Sequence, residues 1–474
     1  MIKKNYFFLF FFCLVLFACN GSKSYSFDKP SIKVTNELKN EYLGLYFQDK
    51  KIGYFFGSAY DGLLENRKVF YLYGNALIRI KLENDLINTI LNEEIIIDKA
   101  TKKAIYFSYK QQIGDSELKI IGVDRDNKLM LRTETGGNIQ YFELEGDYVP
   151  LASAGFLMWQ EGIREGKKSK FKVFVEALQK KEDLTIEVGK PRFVEGKKIY
   201  PLKQKLGNIE VESEVLENGD IFREESIQGF TMKKITKEEA LKFDGELSLY
   251  DMLSYSLIPI DKPITGYVKE IEIILRGADK FNIPETDFQK VLKKDNYHLI
   301  KVSSKILKGE KSEKINLEKY LIETPKIQKN HKKIKELAET LTKGVNDDKE
   351  KVKIIVHWVN GNIKKRLRDR SSALEVLNTK EGECEAHSML TAALLRSIGI
   401  PAKIVGGITY SKENQGFLYH AWNEVYLNGY FLPVDSTFGQ FPADATHIKL
   451  TEEENMEDIA TLIGKLKIEI IKFY

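Results

Sequence analysis

Cysteine is nearly absent from this chain, with three residues in 474, at positions 13, 19 and 384. So few thiols exclude a Cys-rich metal centre and a disulfide-stapled small fold. A charge excess is missing too. Against 73 basic residues stand 69 acidic ones, a net +4, whereas dedicated nucleic-acid binders carry a strong basic surplus. Beyond the first residues no apolar run is long enough for a transmembrane helix. Histidine is sparse, with six in all and none between Glu41 and Ile235. Low-complexity tracts and clear repeats are also lacking. What remains is an ordinary soluble composition, 43% hydrophobic and 30% charged, long enough for two or three domains.

The N-terminus has its own logic. Lys3 and Lys4 form a basic start, and Tyr6 to Ala18 is a continuous apolar stretch too short to span a bilayer comfortably. It ends Leu16-Phe17-Ala18-Cys19, which resembles the lipobox of bacterial lipoproteins. The resemblance implies that residues 1–18 are removed and that Cys19 becomes the lipidated first residue. Several acyl chains there would anchor the protein, at about 0.8 kcal/mol per buried methylene. The expected location is the cell envelope, outside the cytoplasm, with the membrane as a partner through Cys19. Residues 19–40 then read as a tether. Cys13 leaves with the signal and Cys19 carries lipid, so Cys384 is left as a lone thiol in an exported protein.

From 41 to 236 the pattern is strand-like. Val69-Phe70-Tyr71-Leu72-Tyr73 and Leu184-Thr185-Ile186-Glu187-Val188 are rich in β-branched and aromatic residues. Turn pairs Gly136-Gly137, Glu195-Gly196 and Asn218-Gly219 separate such runs. An antiparallel β-rich domain is expected. Residues 237–323 read as a connecting region, possible ground for a small β subdomain, with strands near Tyr267–Arg276 and in Gln289–Leu307. From 324 to 474 helical periodicity takes over. One helix carries Ile334, Leu337, Ala338 and Leu341 and stops near Gly344. A second starts at Asn346-Asp347-Asp348 and carries Val352, Ile355, Val356, Val359 and Ile363. Ser372 and Glu375 have capping-box spacing for a third.

A fourth helix begins near Cys384. Ala386, Met389, Leu390, Ala393, Leu394 and Ile398 repeat at helical spacing, and Gly399 and Pro401 close it. Cys384 therefore sits at a helix N-terminus, where the macrodipole favours thiolate. Glu383 and Glu385 oppose that, so a basic partner is needed. His420 to Leu427 alternates like a strand, Asn428-Gly429 is a type I′ turn signal, and Tyr430 to Asp435 runs back. With Leu427 facing Tyr430, Asp435 falls opposite Trp422. His420 and Asp435 become diagonal neighbours, about 7–8 Å apart at Cβ. Pro433 cannot donate to the ladder and makes the pairing irregular there. A thiol that attacks an acyl carbon, an imidazole that relays its proton and a carboxylate that fixes the tautomer form a coherent nucleophilic set.

Gly382-Glu383-Cys384, Leu395-Arg396-Ser397-Ile398-Gly399-Ile400-Pro401-Ala402, His420-Ala421-Trp422-Asn423-Glu424-Val425-Tyr426 and Asp435-Ser436-Thr437 together resemble the transglutaminase-like core. Ile355-Val356-His357-Trp358-Val359 fits as well. The likeness covers about 325–474. It implies a papain-like α+β fold with Cys384 as nucleophile, His420 as base and Asp435 as orienting acid, acting on a peptide or protein substrate with no cofactor and no metal. Animal cross-linking members carry Gln before the nucleophile, where this chain has Glu383. Many carry Trp shortly before the acid, where this chain has Tyr430-Phe431. Calcium motifs are lacking. Amide hydrolysis, or acyl transfer, is favoured over cross-linking. The whole chain is expected to be α+β, a β-rich domain followed by this core.

Other residues have blander readings. His387, three residues past Cys384, could rival His420 as base but fits a solvated or capping role better. His447 fits a structural role. Trp422 and Trp358 read as packing, and Lys364-Lys365-Arg366-Leu367-Arg368 as a solvated basic face. The alternative for the whole chain is a catalytically inactive envelope lipoprotein that binds a polymer, lipid or protein. Neither the natural substrate, the membrane leaflet nor the oligomeric state is encoded legibly.

Overall fold

The structure, a computed structural model, describes residues 26–474 except 48, 83–84, 126–127, 226–228, 244–246, 249–253, 308–315, 367–369 and 371. The signal stretch with Cys13, the lipidation candidate Cys19, and Leu367-Arg368 of the basic run lie outside the described residues. Among the described residues no helix is long and apolar enough to cross a membrane.

The N-terminal half is one long antiparallel meander. Lys33–Phe47 pairs with Lys50–Leu64, and hairpins carry the ladder through Arg67–Leu82, Asp85–Asp98, Ala104–Ile113, Ser116–Arg125 and Lys128–Thr135 to Asn138–Leu144. On its other edge Lys33–Phe47 pairs with Phe230–Ile235. The ladder then returns through Ile221–Glu225, Ile209–Leu216, Lys197–Leu206 and Lys180–Val188 to Lys168–Val175, which pairs in parallel with Tyr148–Pro150. Period-two burial drives this; in Lys128–Thr135 alternate side chains are buried. The two arms of the sheet share one core. Phe107 and Ile120 from the outgoing strands pack with Ile186 and Leu202 from the returning ones and with Ala154, Leu157 and Met158 of the helix Leu151–Gln160. The sheet is thus curled over that inner helix. The two-residue turn Gly136-Gly137 joins its flanking strands, and Asn218-Gly219 lies in a longer, bulged loop between Leu216 and Ile221.

Two boundaries differ from expectation. The first strand begins at Lys33, inside the stretch read as tether. Its leading side chains are polar and exposed, so hydrophobic alternation does not mark them. The connecting region is also not separate. Ile258–Pro259 joins the sheet of the C-terminal domain by pairing with Gly416-Phe417. Glu270–Arg276, Gln289–Lys293 and His298–Ser303 form a small sheet whose fourth strand is Lys467–Phe473 from the end of the chain. Long-range pairing of that kind leaves no local sequence signal.

In the C-terminal domain the helices Lys332–Leu341, Asp348–Asn362, Ala373–Thr379 and Cys384–Ser397 pack on the sheet Ala402–Ser411, Gly416–Leu427 and Tyr430–Val434. Asp347 and Ser372 cap the second and third helices through their side chains. The Cys384 helix is central, with Met389, Leu390, Ala393 and Leu394 fully covered. The chain as a whole is α+β, mostly β with the helices gathered at the C-terminal end.

Candidate active site

Cys384 opens its helix, and a glycine sets the approach. At Gly382 a Cβ would lie 2.4 Å from the Ala386 Cβ, so only a residue without a side chain lets the chain enter the first turn. The thiol lies against the neighbouring strand, where the backbone N–H of Ala421 donates to the sulfur. That donor is free for a topological reason. The hairpin pairs Leu427 with Tyr430 and continues to Asn423 with Val434, where it ends. Asp435 turns away to bridge Gln440, which releases the strand edge beyond Asn423. The expected facing of Asp435 and Trp422 is therefore not made. Pro433 is tolerated because it pairs with Glu424 at a position where its nitrogen faces outward, and its carbonyl accepts from Ala443 N–H at 2.8 Å.

His420 precedes Ala421 on that strand. Its Nε2 donates to Asp435 Oδ2 at 2.8 Å, and Nδ1 makes no hydrogen bond among the described residues. This network assigns the proton to Nε2 and leaves the Nδ1 lone pair as the base. The ring lies flat against Phe438, 4.9 Å between centroids and 8° between planes, with Trp422 stacked 6.2 Å away. Trp422 is 1% exposed. It fits because a Cβ at Gly407 would strike its ring at 2.6 Å.

Asp435 is fully buried and saturated. Oδ1 accepts from the backbone N–H groups of Thr437 and Phe438 at 2.6 and 3.1 Å. Oδ2 accepts from His420 and also from His447 Nε2 at 2.9 Å. Burial alone would raise this carboxyl, but the two imidazoles hold it well below the usual carboxylate range. His447 is bracketed. Its Nδ1 faces the Asp444 carbonyl at 3.1 Å and the Asp444 carboxylate at 3.3 Å. Burial pulls its pKa down, yet the hydrogen bonds to Asp435 and Asp444 outweigh it and lift it to about 9. His420, Asp435 and His447 present donor atoms within 4.8 Å of one another, as a metal site would. A protonated His447 has no lone pair to give, so a proton rather than a cation fits the cluster.

The thiol rests neutral. Burial pushes Cys384 up to about 12, Glu383, Glu385 and Asp435 add to the shift, and the Ala421 N–H opposes it. The helix dipole does not prevail. The arrangement fits proton transfer to Nδ1 during attack rather than a preformed thiolate–imidazolium pair.

The remaining candidates fall as follows. His387 is 0% exposed, and its ring nitrogens face the carbonyls of Glu383 and Ile363 at 2.8 and 3.2 Å. The solvated role expected for it is overturned, because the helix packs that face inward. Its ring ties the start of the Cys384 helix to the end of the helix Asp348–Asn362. Trp358 is partly buried under Lys380. Of the basic run, Lys364 and Lys365 are exposed, with Lys365 above the Phe438 ring at 4.7 Å. Sequence reasoning missed Asn360, whose Nδ2 donates to the carbonyls of Ser436 and Thr437 at 3.1 and 2.9 Å and holds the Asp435 loop. It also missed Asp444, although Asp444-Ala445-Thr446-His447 shows an Asx-turn pattern, with the Thr446 N–H on Asp444 Oδ1 at 2.9 Å.

Residues 335–436 match the model of the transglutaminase-like superfamily. Over that segment the C-terminal domain is similar to the transglutaminase-like superfamily. The transglutaminase-like domain is similar to the kyphoscoliosis peptidase of Mus musculus, 30% identical over 136 residues, which is 25% of this chain and 20% of the relative. The human kyphoscoliosis peptidase is 31% identical over 134 residues, 24% of this chain and 20% of the relative. The chain thus spans about a fifth of the length of these curated relatives. Among solved structures, a β-barrel-like protein of Brucella abortus is similar at a TM-score of 0.31 and 11% identity, over 42% of this chain and 95% of that one.

Proposed function

We propose that the transglutaminase-like domain cleaves, or transfers the acyl group of, peptide-type amides through Cys384, His420 and Asp435. One observation carries the reading. The sulfur takes a hydrogen bond from the residue next to His420, while the imidazole is locked by Asp435 with its other nitrogen free. In the reaction His420 Nδ1 takes the thiol proton as the sulfur attacks the amide carbon. The oxyanion meets the unpaired N–H groups of the helix's first turn, the Cys384 N–H first. Nδ1 then returns the proton to the departing amine, leaving a thioester. Water, or a second amine, gives its proton to Nδ1 and attacks, and the thiol leaves reprotonated. Asp435 stays ionised and stabilises the transient imidazolium.

The membrane anchor through Cys19 belongs to the same proposal and rests on the signal pattern. The substrate is a peptide or protein outside the cytoplasm. Cys19→Ala should shift the protein from the membrane fraction to the soluble one, and an unchanged distribution would remove the anchor. A burst of nitrophenol from a p-nitrophenyl ester, stoichiometric with enzyme, should be lost in Cys384→Ala and His420→Ala. Amide turnover that survives Cys384→Ala would end the enzymatic reading. A second reading, an inactive envelope protein, draws on the high thiol pKa. It expects no burst and no acyl-enzyme by intact mass at any pH.

A further inference from the structure

The β-rich half holds a cavity of about 250 Å³ that the thiol chemistry does not use. Its walls come from both arms of the curled sheet and from the inner helix. Ile95, Leu202, Phe156 and Met158 give it an apolar lining, and Glu41, Glu93 and Glu224 face it. Lys39 pairs with Glu41 at 3.1 Å, while Asp220, 3.7 Å from it, is held by Lys234. Glu41 is 9% exposed and its second carboxylate oxygen is buried without a partner. Glu93 makes no hydrogen bond or ion pair among the described residues. Glu224 accepts from Gln204 at 3.4 Å.

Uncompensated carboxylates in apolar surroundings cost stability. Burial raises Glu93 to about 7. Glu176 behind it is lifted too, by burial and then by Glu93. An unpaired carboxyl thus faces a cavity that solvent reaches, since Glu93 and Glu224 both keep intermediate exposure. Access is kept clear on the helix side. Gly155 lines the cavity, is exposed, and would place a Cβ with nothing within 4 Å. A mid-helix glycine costs about 1 kcal/mol relative to alanine, and no packing contact here explains it.

We propose that this cavity binds a primary amine on a compact apolar body, with the ammonium on Glu93 and the body against Phe156 and Met158. The size argues for a small guest, because ligand pockets usually run about 300–1,000 Å³. The lining argues against a calcium ion, which takes about six to eight oxygen ligands.

Titration calorimetry of the full chain with phenethylamine, and with 2-phenylethanol as its uncharged counterpart, tests this. The amine should bind saturably at one site and the alcohol should not. Glu93→Gln should weaken the amine by roughly 10- to 100-fold, the value of a charge-assisted hydrogen bond, while the melting temperature holds or rises. Gly155→Leu should abolish binding by filling the mouth and leave all three carboxylates in place. Equal binding of the alcohol, no saturable amine binding at millimolar concentration, or unchanged affinity in Glu93→Gln would each overturn the proposal. A drop in melting temperature for Glu93→Gln would do so as well, since it would make Glu93 a structural group.

Discussion

The two halves of the molecule treat buried charge in opposite ways. In the transglutaminase-like domain Asp435 has four donors. Lys403 and Lys449 both contact Glu424 and Glu452, at 2.7 to 2.9 Å. Arg396, 2% exposed, donates to the carbonyls of Ala402 and Ile322. In the β-rich half Glu93 and one oxygen of Glu41 are left unpaired. A saturated network fixes geometry, because each member loses a partner if it moves. An unsaturated one stores a demand that a guest can meet. The first suits a site that must orient a ring to a sulfur, and the second suits a site that must attract something absent.

That contrast is sharpest at Asp435. Asp435→Asn should cut turnover roughly 10⁴-fold by forcing the wrong His420 tautomer, measured with saturating substrate. It should also cost about 3–5 kcal/mol in denaturant unfolding, since His447 loses a partner in a buried site. A stability loss without an activity loss would detach Asp435 from the chemistry. Trp422→Ala comes next, at roughly 3–5 kcal/mol for an emptied core site beneath His420. Gly382→Ala should cost about 1–3 kcal/mol, the range for overpacking, and lower the nitrophenol burst by displacing the first turn.

Proton linkage at His447 supplies a subtler check. Its folded pKa lies above the unfolded value of about 6.5, so the folded state holds its proton more tightly. The stability it contributes is complete below about pH 6.5 and is lost as the pH rises through about 9. Asp435 works in the other direction, with stability present above the unfolded carboxyl value and lost as pH falls below it. Urea unfolding across this range should show a decline toward alkaline pH that His447→Gln flattens. In the β-rich half Glu93 follows the same direction, since its raised pKa makes stability fall as the pH climbs from about 4.5 through about 7. Glu93→Gln removes this partnerless carboxyl and should raise stability above about pH 7.

Local chemistry made much of the site readable. A two-residue Asn428-Gly429 turn fixes which residue faces which, so the Leu427–Tyr430 register followed from spacing alone, whereas Asp435 meets His420 only after leaving that ladder to bridge Gln440. Gly399 and Pro401 ended the Cys384 helix for equally local reasons. Segments that meet late in the chain were not readable. His447 reaches Asp435 after the strand has turned away, and nothing in its immediate sequence marks a carboxylate on the far side. Lys467–Phe473 pairs with Glu270–Arg276 across some two hundred residues. Lys33 to Asn40 are polar but for Val34 and Leu38, so their membership in a sheet depends on a neighbour rather than on a pattern. The unpaired state of Glu93 is a property of the curled sheet and has no signature in Asn92-Glu93-Glu94.

Arg370 gives the two halves a shared mechanical fate. Its side chain is 1% exposed and reaches Asp115 at 3.0 Å, on a hairpin turn of the β-rich half, Glu381 at 2.5 Å and Glu375 at 3.4 Å. Glu381 stands three residues before the nucleophile. The boundary drawn by homology is therefore not a line along which the protein can be cut. A fragment starting near residue 324 would forfeit the Asp115 anchor, the Ile258–Pro259 strand and the sheet partner of Lys467–Phe473. Such a fragment should hold its thiol loosely, and a test of the thiol chemistry should keep the β-rich half attached.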